Sequence, residues 1–233
     1  MTLLWILLLP LLGTLVPVLT ASWRRSACAT ATAIPPAIAL MLLFYHGSAI
    51  FAGESLRYTL GWIPLLGLDV SLRLDGLAFL FSLLILGIGL LIILYARYYL
   101  SEQDSMPRFY AYLMLFMTAM MGIVLSNNVL QLWLFWELTS ISSFLLISYW
   151  WHKSEARRGA RMALTVTGAG GLCLLAALLL LGQITGSYDL DVILASGAVI
   201  QQHGWYPLVL VLFLLGCFTK SAQFPFHFWL PNA

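Results

Sequence analysis

The sequence predicts an all-α fold, a polytopic bundle of transmembrane helices, and three observations carry that prediction. Hydrophobic residues make up 62% of the chain and charged residues only 9%, against about 25% charged in soluble domains. Seven apolar runs of spanning length follow one another, at about 2–22, 29–51, 76–97, 108–126, 129–150, 162–182 and 206–224. These runs lack period-2 alternation, so in lipid their backbone groups must pair within helices rather than between barrel strands. The net charge of +2 is too small, and the basic residues too scattered, for a nucleic-acid surface. Cys28, Cys173 and Cys217 lie inside apolar runs without ligand spacing and read as packing residues.

The first run has no basic residue before it and exceeds a signal-peptide core, so it reads as a retained span. Pro10 and Pro17 in that run, and Pro35-Pro36 in the second, predict kinks or shifts. Between the second and third runs, Val70, Leu72 and Leu74 alternate with Ser71, Arg73 and Asp75, the pattern of one arm of a hairpin whose turn falls near Pro64 to Gly67. Asp75-Gly76 opens the third run. Asp75 has two readings, an N-cap carboxylate facing the positive end of the helix dipole and an ion funnel at the external mouth.

Loop charges set the expected orientation. Arg24, Arg25, Arg97, Arg108, Lys153, Arg157, Arg158 and Arg161 follow odd-numbered runs, whereas Arg57 and Arg73 follow even-numbered ones. By the positive-inside rule the N-terminus is external and the hairpin loop with it. Lys220 belongs to neither group, because it stands inside a run.

The fifth run carries the feature around which the chemistry is expected to gather. Glu137 follows Asn128 by nine residues; at 1.5 Å per residue that is roughly 13 Å, near the middle of a hydrocarbon core about 30 Å thick. An ionisable group at such depth costs about 2.5–3.5 kcal/mol on insertion scales and faces a partner, a water-filled cavity or an ion path. Ser140, at i+3, shares its face. It fits both interhelical hydrogen bonding and a hydrated lining beside the carboxylate. In the sixth run Gly168, Gly170 and Gly171 allow close helix approach, and residues 187–203 read as a short amphipathic external segment.

Lys220 is the basic counterpart, 13 residues in from Pro207. Pro225 has no N–H and would clash with the carbonyl of Ser221, so the seventh helix is expected to break or kink one turn after the lysine. Unwound backbone beside a buried charge is a transporter device. Two opposite charges about 4 Å apart attract by on the order of 4 kcal/mol at an effective dielectric of 20. Approach of Glu137 would therefore hold a proton on Lys220, and withdrawal would release it. His227 reads either as an extension of that relay or as an interfacial hydrogen-bonding histidine.

Three stretches carry a family resemblance: Trp136-Glu137-Leu138-Thr139-Ser140, the approach Leu72-Arg73-Leu74-Asp75-Gly76-Leu77, and Phe218-Thr219-Lys220-Ser221-Ala222-Gln223-Phe224-Pro225-Phe226-His227-Phe228-Trp229-Leu230-Pro231-Asn232-Ala233. Together they resemble the antiporter-like subunits of respiratory complex I and of the Mrp sodium/proton antiporters, the last stretch most of all the large A subunits of the latter. The resemblance implies that Glu137 and Lys220 form the proton-handling pair. It also implies a division into residues 1–75, two helices and the hairpin, and residues 76–233, the start of a proton-translocating repeat. Members of the family carry two inverted repeats, and Ala233 comes before the first would close, so the expectation is a fragment or a subunit completed by another chain.

The implied protein is a secondary transporter subunit rather than an enzyme. It lies in the bacterial inner membrane, exchanges protons and Na+, and is surrounded by other membrane subunits and by lipid. No flavin, iron-sulfur or quinone motif is present in the sequence and no cofactor or metal is expected. A rival is the pumping arm of an NADH:quinone or hydrogenase-type oxidoreductase; a third reading is a truncated structural fragment.

Overall fold

The computed structural model describes residues 1–63 and 68–233, so the turn expected near Pro64 to Gly67 lies outside the described residues. Packing divides the chain into two compact units, Met1–Tyr58 with Leu72–Leu125, and Thr59–Ser71 with Ser126–Ala233. This division follows contacts, whereas the one expected at Asp75 follows the family's repeat. Among the described residues six helices are long and apolar enough to cross a membrane.

In the first unit the opening run forms α1 (Thr2–Gly13) and α2 (Val16–Leu19). Pro10 is tolerated inside α1, and Pro17 stands in the first turn of α2, where a missing N–H leaves no helix bond unmade. α3 (Arg25–Tyr45) continues through Pro35 and Pro36. The short α4 (Gly47–Phe51) follows, then α5 (Gly76–Tyr99) and α6 (Met106–Leu125). Ile6, Leu43, Leu86, Ile93 and Met114 form the fully buried centre. Gly13 lets α1 and α6 approach closely, since a Cβ there would collide with the Met114 methyl group. At one end the Arg25 guanidinium donates to the carbonyls of Leu100 and Ser101, both at 2.8 Å.

The alternating loop forms the expected hairpin, with β1 (Leu56–Ile63) paired to β2 (Leu68–Leu74) in a two-stranded sheet. Leu72 and Leu74 are buried as the alternation predicts, but Ser71, predicted on the polar side, is buried as well. Its backbone explains this. The Ser71 N–H donates to Gln131 Oε1 at 2.9 Å and its carbonyl accepts from the Asn127 N–H at 2.8 Å.

The second unit holds α7 (Val129–Ile147), α8 (Ser154–Thr185), α9 (Leu190–Ala195), α10 (Gly197–Gln202), α11 (Tyr206–Lys220) and a 3₁₀ helix, Phe226–Asn232. Asn128 caps α7, its side-chain oxygen accepting from the N–H groups of Leu130 and Gln131. α8 closes at Gly186, whose φ of +72° is the left-handed position glycine adopts freely. Val129, Leu174, Leu178 and Val209 lie in the apolar core that joins α7, α8 and α11. The seventh run is expected to span residues 206–224, yet α11 is 15 residues long and stops at Lys220. The reason lies in the turn that follows.

Candidate functional site

The second unit brings Glu137, Ser140 and Lys220 together. α7 presents two adjacent stripes at helical i,i+4 spacing: Trp133 with Glu137, and Trp136 with Ser140. The Lys220 ammonium, at the last residue of α11, addresses the second stripe. It donates to Ser140 Oγ at 2.7 Å and to the Trp136 carbonyl at 3.3 Å, and lies 5.4 Å from the centre of the Trp136 ring. Carbonyl, hydroxyl and aromatic face together make a cradle for a cation.

Glu137 turns instead toward α8. Its Oε1 packs at Gly171, where a Cβ would fall on it, and the Trp133 indole donates to the Gly171 carbonyl at 2.8 Å. Among the described residues Oε1 is buried without a hydrogen-bond partner. The two opposite charges are within electrostatic reach of each other, but the lysine's hydrogen bonds go to Ser140 and Trp136 rather than to the carboxylate. Helical spacing puts Ser140 on the face of Glu137; the geometry instead gives Ser140 to the lysine and Glu137 to a glycine.

The end of α11 is set by a turn upstream of Pro225. Ala222 takes φ +51° and the Gln223 N–H returns to the Phe218 carbonyl at 2.9 Å, the six-to-one bond of a Schellman closure. The Thr219 carbonyl, freed by the helix end, accepts from the Trp229 indole at 3.0 Å. Backbone left unpaired by the break is thus satisfied from within the same segment. His227 lies in the 3₁₀ helix, exposed, with its ring stacked on Phe224 at 5.7 Å.

Asp75 belongs to the first unit. Its Oδ1 accepts from the Ala78 N–H at 2.8 Å and Oδ2 pairs with Arg73 at 2.6 Å. Partial burial pushes its carboxyl up in pKa, but the Ala78 N–H and the Arg73 guanidinium outweigh that and hold it below the ordinary carboxylate value. The N-cap geometry expected for it is therefore present, with an ion pair added.

Two family models match consecutive parts of the chain. Residues 126–233 match one described as NADH:quinone oxidoreductase/Mrp antiporter, TM, and residues 62–110 one described as NADH-Ubiquinone oxidoreductase (complex I), chain 5 N-terminus. The chain belongs to the antiporter-like membrane protein family of complex I and Mrp antiporters. Within that family it is 51% identical, over 97% of its length, to a Rhizobium meliloti protein named as a probable K(+)/H(+) antiporter A/B subunit, of which it covers 23%. It is 42% identical, again over 97%, to the A1 subunit of a Staphylococcus aureus Na(+)/H(+) antiporter, of which it covers 28%. The Mrp complex from Dietzia sp. DQ12-45-1b superposes on all of it with a TM-score of 0.85 at 33% identity, over 25% of that chain. The chain thus spans about a quarter of the length of the family members it matches. The antiporter-like fold places it among multi-pass membrane proteins.

The residues that sequence reasoning missed are those that position the charges. Trp136 is legible only as the neighbour of Glu137, although a carbonyl one turn before a serine is available to any ammonium reaching both. Gly170 and Gly171 are legible as small residues, while Gly168, small in the same way, has open space where a Cβ would stand. The sequence carries no signal to tell the three apart.

Proposed function

We propose that this chain is part of a membrane subunit of a multisubunit monovalent cation/proton antiporter, with Glu137 and Lys220 handling the proton. The observation that carries the reading is the cradle of Lys220. A half-buried lysine ammonium, in a family of antiporter-like proteins, is held by a hydroxyl, a carbonyl and a ring on the same helix that bears Glu137. A proton on the lysine nitrogen can pass to a carboxylate that swings toward it, leaving a neutral amine and a carboxylic acid; return of the proton restores both charges. Charge is conserved at each step.

In this reading the chain lies in a bacterial cell membrane with its N-terminus outside, as the loop charges favour. Its partners are further membrane subunits, and its cargo is protons and Na+ or K+. His227 and Asp75 are secondary candidates: the first at the mouth of the broken helix, the second as a cap that also fixes Arg73. The helix break belongs to the same device, with Pro225 keeping the segment after Ala222 from re-entering α11. A redox-driven pump would use the same pair, and the family description that names NADH:quinone oxidoreductase favours keeping it in view; co-purification with iron-sulfur subunits would identify it. The test of proton handling is Na+- or K+-dependent proton flux in everted vesicles carrying the complete complex. Glu137→Gln and Lys220→Ala should each abolish it, and normal flux in an assembled complex would refute the assignment.

A further inference from the structure

Gly170 and Gly171 are consecutive on α8, and each receives a different helix. A Cβ on Gly171 would fall on the Glu137 carboxyl of α7, and one on Gly170 would fall on the Thr219 hydroxyl of α11, the residue before Lys220. Further along α11 the same approach continues at Gly216, which packs on the Gly170 carbonyl and on Leu174. Both charge-bearing helices are therefore seated on one two-residue step of a third helix. One hydrogen bond ties α7 to α8, and another fixes the Thr219 hydroxyl within α11. Trp133 donates to the Gly171 carbonyl at 2.8 Å, and the Thr219 hydroxyl donates to the Gly216 carbonyl at 2.9 Å.

We propose that the Gly170–Gly171 step on α8 is a positioning element that sets the distance between Glu137 and Lys220, Gly171 holding the carboxyl in its withdrawn position. The inference rests on the proton-handling reading of that pair. Two observations on one atom support it: Glu137 Oε1 is where a Cβ on Gly171 would stand, and it is buried there without a hydrogen-bond partner among the described residues. A methyl group at 171 has no free space, so the carboxyl must leave the seat. Trp133, one turn before Glu137 on α7, is held to the Gly171 carbonyl, and the Lys220 ammonium is bound one turn further along α7 at Ser140. Displacement of the carboxyl therefore changes the coupling between the two charges, which scales inversely with their separation.

The experiment compares Gly171→Ala with Gly168→Ala in the complete complex, reading proton flux against pH in everted vesicles. Gly168 has open space around it and should leave both rate and profile unchanged. Gly171→Ala should lower flux about tenfold and displace the pH of half-maximal flux by about one unit, the size expected when a nearby charge moves by an ångström or two. Glu137→Asp, shorter by one methylene, removes the collision with a Cβ at 171, so the double variant Glu137→Asp/Gly171→Ala should assemble at least as well as Gly171→Ala, with its flux still low because the carboxyl is out of the seat in both. If Gly171→Ala does not assemble, recovery of assembled complex in the double variant supports the inference and its absence overturns it. A wild-type profile in Gly171→Ala, with flux lost in Glu137→Gln, overturns this inference alone; unaltered flux in Glu137→Gln overturns the proton-handling reading and this inference with it.

Discussion

Removing the Ser140 hydroxyl tests the cradle most directly. In Ser140→Ala the Lys220 ammonium loses its shortest contact, 2.7 Å, and keeps the Trp136 carbonyl at 3.3 Å and the ring at 5.4 Å. Ser140 is 3% exposed, so bulk water does not replace the lost acceptor. A hydrogen bond to a charged group contributes about 1.5–3 kcal/mol; at 1.4 kcal/mol per factor of ten, the cradled position loses roughly 10- to 150-fold in occupancy. Proton flux in everted vesicles should fall by about tenfold or more in Ser140→Ala, while Ser140→Thr, which keeps the hydroxyl, should retain most of it. Equal flux in Ser140→Ala and wild type, at equal complex abundance, would refute the claim that this hydroxyl holds the lysine.

Three further outcomes follow from the geometry. Gln131→Leu keeps the size of the side chain but leaves the buried Ser71 N–H without its acceptor and removes the donor to the Ser126 hydroxyl; it should destabilise the folded protein by about 1–3 kcal/mol, read as a lower unfolding temperature, and an unchanged temperature would argue against the tie. Ala222→Gly relieves a left-handed alanine at the end of α11 and should stabilise by about 1 kcal/mol; a lower unfolding temperature would contradict the assigned turn. Asp75 has a folded pKa below its ordinary value of 3.8, so its stabilising contribution is present above that pH and is lost as pH falls through the lower folded value. Protection of the Ala78 amide, its exchange rate compared with the intrinsic rate at the same pH, should therefore fall below about pH 4, and Asp75→Ala should show the reduced protection already at neutral pH.

The sequence by itself determined the apolar runs, the helical class, the hairpin before α5, the N-cap as one of two readings of Asp75, and the two charges deep in apolar sequence. Each of these follows from local chemistry: a run's length, its period, or a polar side chain beside a helix start. What only the tertiary structure decided is who meets whom. Periodicity assigns a residue to a face of its own helix and is silent about the neighbour on that face, so it groups Ser140 with Glu137 when closely packed helices give one to Lys220 and the other to Gly171. Ser71 reads as polar-facing because a strand's alternation describes side chains, whereas its burial is set by the distant partners of its backbone, Gln131 and Asn127. The end of α11 reads from Pro225, but a turn through Ala222 closes the helix first, and the Trp229 indole that completes that turn becomes a partner only once the chain has folded back on itself.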